Sequence, residues 1–90
     1  MFRYEVPADG QPHAFDLSGV TDVYGPLHVE AAGEETVEFW AEQDPNALLT
    51  RRAFRVFATG DELPDRAVWV GTTGRTETSG SIWHLYEVAP

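Results

Sequence analysis

Polar and apolar residues alternate with a period of two in seven separate runs along this chain, and no other feature restricts its fold as tightly. Phe2, Tyr4 and Val6 alternate with Arg3 and Glu5. Pro12, Ala14 and Asp16 alternate with His13, Phe15 and Leu17. Further runs follow at 27–31, 37–42, 54–57, 67–70 and 82–87. A period of two sends successive side chains to opposite faces of a strand. Between the runs stand "PADG", "TDVYGP", "AAGEE", "GDELPD" and "TGRTETSG", all rich in residues that favour turns. The segment "QDPNALL" has room for a single helical turn before Arg51. Residues 33–42 have the length of a short helix, but their β-branched and aromatic content favours a strand. No stretch holds a 3.6-residue period over three turns.

These runs predict an all-β chain, a small antiparallel β-sandwich or barrel of six to eight strands, with residues 1–90 forming a single β domain. The 42% apolar content, with five Phe, three Trp and three Tyr, is enough to fill one core. Gly60 and Gly71 each follow an alternating run, and both read as corners that need a positive φ.

The composition excludes several classes. There is no Cys, hence no disulfide, thiolate metal site or thiol nucleophile. No run approaches the roughly 18 apolar residues of a membrane-spanning helix, so no membrane association is expected. The opening "MFRYEVPADG" carries charges at positions 3 and 5 and lacks the apolar stretch of a signal peptide. The net charge is −9, and all six cations are Arg. Such a field repels phosphate backbones, so general nucleic-acid binding is disfavoured.

Candidate sites are few. His28 and Glu30 share one strand face, and His84 and Tyr86 share another. Together they are usable metal ligands, but no compact cluster with ligand spacing accompanies them, so no metal site and no cofactor are expected. His84 lies in "IWHLYEV", apolar on both sides, where a half-buried, hydrogen-bonded imidazole is the simplest expectation. The loop "GTTGRTETSG" lacks the Lys and the following helix of a P-loop and reads as a long hairpin connection, with Arg75 near its tip able to close over an anion. Arg51, Arg52 and Arg55 form the one cationic cluster, expected to pair with Glu38 or Glu42 on a neighbouring strand and to bind anions where unpaired. Trp40 and Trp83 neighbour residues that already read as buried, Phe39 and Leu85. The sheet is therefore expected to be apolar on both faces in places, suited to self-association or to stacking a ring. Thr59 and Thr72, each beside a Gly after an apolar run, are expected to line one end of the sheet together.

The segments "FRYEVP", "LHVEA", "VEFWAEQDP", "RRAFRVFATGDELP", "WVGT" and "WHLYEV" occur in this order. They resemble a family of small proteins of unknown function found in tailed bacteriophages, prophages and actinobacterial genomes. That family carries W-A-x-x-D-P, G-T-G-x-x-[LI]-P, Y-[IV]-G-T and a closing W-H-x-[FY]-E. Trp40, Ala41, Asp44 and Pro45 match the first motif, and Gly60, Leu63 and Pro64 the second, with Ala58 in a usual Gly position. Gly71 and Thr72 match the third, with Trp69 in the Tyr position. Trp83, His84, Tyr86 and Glu87 match the last. The resemblance implies a protein working in the bacterial host cytoplasm during infection, and no assigned chemistry.

The expected function is that of a non-catalytic, homo-oligomeric binding protein that captures a small anionic ligand such as a nucleotide immune signal. Its expected ligand-binding residues are Arg51, Arg55, Arg75, Trp40, Trp69, His84, Thr59 and Thr72. The alternative is an accessory factor or inhibitor that docks on a host protein through an aromatic and acidic surface. An enzyme ranks third: no G-x-S-x-G is present, and Ser18, Ser79 and Ser81 fall in turns, so no catalytic residue is expected.

Overall fold

A computed structural model describes residues 2–18, 26–41, 46 and 48–88. It contains seven strands: β1 (Phe2–Pro7), β2 (His13–Ser18), β3 (Pro26–Ala31), β4 (Thr36–Ala41), β5 (Leu49–Ala58), β6 (Val68–Thr72) and β7 (Trp83–Val88). They form two antiparallel sheets, ordered β1-β4-β3 and β2-β5-β7-β6. The expected sandwich is therefore present, with seven strands, and the sheets do not close into a barrel. Of the run 33–42, Thr36–Ala41 form β4, so the strand alternative holds there, and Glu42 lies outside the described residues. The helical turn expected within "QDPNALL" falls mostly outside the described residues; its last Leu already belongs to β5.

Alternation decides which face enters the core. In β4, Val37, Phe39 and Ala41 are buried while Thr36, Glu38 and Trp40 face outward. Val6 supplies β1, and Leu17, Phe54, Val56 and Leu85 supply the facing sheet. Phe39 and Phe54 join the two layers, with ring centroids 4.8 Å apart. Phe15 and Tyr4 pack around Phe39 at 5.7 and 5.2 Å.

Burial continues on the far side of the four-stranded sheet. Ala53 and Phe57, on the outward face of β5, are also buried. Phe57 meets Tyr86 edge-on at 5.4 Å and lies under the Arg55 guanidinium, 4.6 Å from the ring centre. A cation over a ring face gains from the ring's quadrupole, which helps an apolar ring sit outside the core. The expectation of apolar residues on both faces therefore holds for this sheet. Trp83, however, points to the core side with Leu85, and its indole N–H donates to the Glu34 carbonyl at 3.1 Å.

The two Gly turns of the sequence have different causes. Gly60 has φ +94° in the turn after β5, where Ala58 N–H donates to the Asp61 carboxylate at 2.8 Å. Only Gly adopts that φ without steric cost. Gly71 corrects the expectation: it lies inside β6 and is not among the positive-φ residues. A Cβ there would sit 2.5 Å from Val29 Cγ2 and 2.7 Å from Val29 Cβ. Gly71 is required because β6 passes close over β3, not because of a corner.

β6 also carries a bulge. Trp69 opposes Tyr86, yet Gly71 opposes Leu85, so Val70 is an extra residue. One extra residue reverses the alternation beyond it. Gly71 thereby turns to the core side, and Trp69 and Thr72, three apart in sequence, share the outward face.

Candidate functional site around Thr59, His84 and Arg75

The end of the sheet where β5 finishes and β7 begins gathers the functional side chains. Phe57 opposes His84 and Ala58 opposes Trp83, while Thr72 of β6 opposes His84 from the other side. His84, half-buried, lies between two hydroxyls. Its Nε2 is 2.9 Å from Thr59 Oγ1 and its Nδ1 is 3.0 Å from Thr72 Oγ1. The Trp69 indole N–H donates to the same Thr72 oxygen at 3.0 Å. Four of the eight expected site residues, Trp69, Thr72, His84 and Thr59, thus form one hydrogen-bonded chain, and the convergence of Thr59 and Thr72 occurs through the imidazole.

Beyond Thr59 lies the β6–β7 hairpin loop, residues 73–82. The loop is held from the opposite sheet by Glu34, in the β3–β4 turn. Its carboxylate accepts the N–H groups of Thr78 and Ser79, both at 3.0 Å, and the Ser79 hydroxyl at 2.8 Å. These donors hold the Glu34 carboxyl at about 2, below the ordinary 4.5. Within the loop, Thr73 Oγ1 accepts Trp83 N–H and Thr76 Oγ1 accepts Ser81 N–H, both at 3.0 Å. Both threonines are buried. The long hairpin expected from "GTTGRTETSG" is therefore a braced loop. Glu34 was not singled out from the sequence, where it is one of two adjacent acids in a turn.

The described residues form three open depressions here. One, of about 380 Å³, lies between the loop and the β3–β4 turn and includes Glu30, Glu34 and Glu77 beside Arg75. A second, of about 190 Å³, is lined by Phe57, Thr59, Leu63, His84, Tyr86 and by the acid Asp61. The third, of about 390 Å³, is lined by Ala58, Thr59, Arg75, Gly80, Ser81, Ile82 and Trp83. No carboxylate lines it. It combines a guanidinium, two hydroxyls and an apolar wall. The Arg75 guanidinium makes only a long contact, 3.4 Å, to the Gly80 carbonyl, and no ion pair among the described residues. Ser81 and Ile82 were missed as site residues, their one sequence signal being their place after the Gly-rich loop; Trp83 was marked as a ring for stacking or self-association but not placed among the ligand-binding residues.

The remaining expected residues lie elsewhere. Trp40 sits on the outward face of the three-stranded sheet, 5.1 Å from the His28 ring. Arg51 and Arg55 lie on the outward face of β5, and neither lines any of the three depressions. The expected pairing of the arginine cluster with Glu38 is corrected. Glu38 belongs to the other sheet and pairs with Arg3 at 3.3 Å, and Glu42 lies outside the described residues. Arg52 instead grips Glu87 with two bonds, at 2.8 and 2.6 Å. Arg51 and Arg55 have no ion pair among the described residues, and Arg55 Nε is shielded without a hydrogen-bond partner. His28 bonds Glu30 at 3.4 Å on the three-stranded sheet. It therefore stands on the opposite outer surface from His84 and cannot share a metal with it. Among the described residues no three His, Asp or Glu groups converge to hold an ion, and no helix is long and apolar enough to cross a membrane.

No curated protein and no solved structure matches the chain. A family model described as a domain of unknown function, DUF7352, matches residues 1–90, and the chain belongs to that family.

Proposed function

We propose that this protein is a non-catalytic binding module that captures a small anionic ligand in the depression between Thr59 and Arg75. The observation that carries the reading is the lining itself. In a chain of net charge −9, this depression has an arginine without an ion pair among the described residues, the Thr59 hydroxyl, the Trp83 and Ile82 walls and no acid. An anion needs a planar fork and hydroxyl donors, and a ring or apolar part needs the wall. Nucleotides have both parts and are the first class to test. The resemblance to phage proteins extends the proposal to a nucleotide signal of host defence, sequestered in the bacterial cytoplasm by an oligomer of this chain.

The lack of a catalytic role is part of the proposal. Thr59 and His84 are within hydrogen-bond reach, as a nucleophile and base would be. The second ring nitrogen faces the Thr72 hydroxyl, however, and not a carboxylate that would stabilise an imidazolium.

Thermal unfolding against a panel of linear and cyclic nucleotides tests the reading. A ligand at a hundred times its dissociation constant stabilises by about 2.7 kcal/mol, a shift of roughly 10–20 °C for a domain of this size. The shift is expected to vanish in Arg75→Ala and to persist in Arg55→Ala. A flat panel would contradict the proposal.

A second reading, docking on a protein partner, is favoured by β6. It is an edge strand with no charged side chain, and Val68 and Trp69 are 61% and 58% exposed. Uncharged edges pair readily with other chains. On this reading Trp69→Ala abolishes capture of the partner and Arg75→Ala does not.

A further inference from the structure

The hydrogen-bonded chain that ends at Thr59 has a direction. An indole N–H only donates, so Thr72 Oγ1 is an acceptor toward Trp69. Its own proton then has one partner among the described residues, His84 Nδ1 at 3.0 Å. Given to Nδ1, that proton leaves the neutral ring protonated on Nε2. In that arrangement Nε2–H faces Thr59 Oγ1 at 2.9 Å and donates to it. Thr59 Oγ1, already an acceptor there, has no other partner among the described residues, and Thr59 is exposed. Its hydroxyl proton is left for an acceptor outside the chain.

From this order we infer that Trp69 and Thr72 hold His84 as the Nε2–H tautomer, and that this makes Thr59 a hydrogen-bond donor into the adjoining depressions. Thr59 is a specificity-determining residue: it selects ligands that present an acceptor, a phosphate or carboxylate oxygen, within reach of the Arg75 guanidinium. Trp69, exposed and outside the depression, is a positioning residue that acts through Thr72. The ligand-selecting half of the inference rests on the anion-binding reading above. The tautomer half stands on the free protein.

The test is NMR of the ligand-free protein at alkaline pH, where imidazole is neutral. Long-range proton–nitrogen spectra distinguish the protonated from the unprotonated ring nitrogen of His84. The protonated signal is expected on Nε2 in the wild type, and Trp69→Phe, which removes the indole donor, is expected to move the two nitrogen signals toward each other. Protonation on Nδ1, or identical spectra for the wild type and Trp69→Phe, would overturn the tautomer assignment. The same samples are then titrated with inorganic phosphate. Thr59→Ser is expected to bind it as the wild type does, and Thr59→Val about threefold to tenfold more weakly, the loss of one hydrogen bond. Equal binding by Thr59→Val and the wild type, or no binding by either, would overturn the donor role while the tautomer result stood. No phosphate binding together with a positive nucleotide panel would spare the anion-binding reading and remove only the donor.

Discussion

Replacing Gly71 by Ala probes a close approach between the two sheets. Ordinary carbon–carbon contact is about 3.5–4.0 Å. The new methyl would begin at 2.5 Å from Val29 Cγ2 and 2.7 Å from Val29 Cβ. About 1 Å must open between β3 and β6. Rotating Val29 relieves only the Cγ2 overlap, because its Cβ is fixed by the β3 backbone. Overpacking of this kind costs about 1–3 kcal/mol, a fall in Tm of roughly 5–20 °C for a domain of this size. Combining Gly71→Ala with Val29→Ala removes the nearer of the two atoms. The double variant should be about 1 kcal/mol more stable than the sum of the single changes, within the range of contacting pairs. Thermal and urea unfolding of the four proteins measures this. Strict additivity would refute the packing argument and return Gly71 to a purely backbone role.

Other outcomes follow from the contacts described. Glu34 has a folded-state pKa below its ordinary 4.5, at about 2. Its contribution to stability is therefore full above pH 4.5 and is lost as pH falls toward 2. Wild type and Glu34→Gln should differ most in Tm above that window and converge below it; a difference independent of pH would contradict the brace. Arg52→Ala leaves the half-buried Glu87 without its two-bond partner, and chemical denaturation should register a loss of about 1–3 kcal/mol. Phe54→Ala opens a cavity where Phe39 and Phe15 meet, and the same assay should read about 3–5 kcal/mol.

The fold was legible because period-two alternation is a direct readout of which face is buried. Val37, Phe39 and Ala41 against Glu38 and Trp40 is one case. β5 was underestimated: the sequence supports 54–57, whereas the strand starts at Leu49. Its first residues pair with β2 through Asp16 and Leu17, and long-range pairing leaves no local pattern in β5 itself. The site was legible in part. Thr59, Thr72, His84 and Trp69 were marked by type and by nearby glycines. Their union depends on the Val70 bulge, which alternation hides because an inserted residue looks like continued strand. Arg75 carried a signal as the one cation in a Gly-rich loop, yet its neighbours Thr59 and Trp83 come from other segments. The brace on that loop comes from Glu34, more than forty positions before Ser79, and only the register of the sheets brings them together.

The central claim is that the acid-free depression at the end of β5 and β7 is where this acidic protein holds an anion. Amide chemical-shift mapping during titration with adenosine monophosphate tests it most directly. The account predicts saturable shifts centred on Thr59, Arg75 and residues 80–84, absent in Arg75→Ala. Shifts centred on Arg51 and Arg55, or none at all, would contradict it.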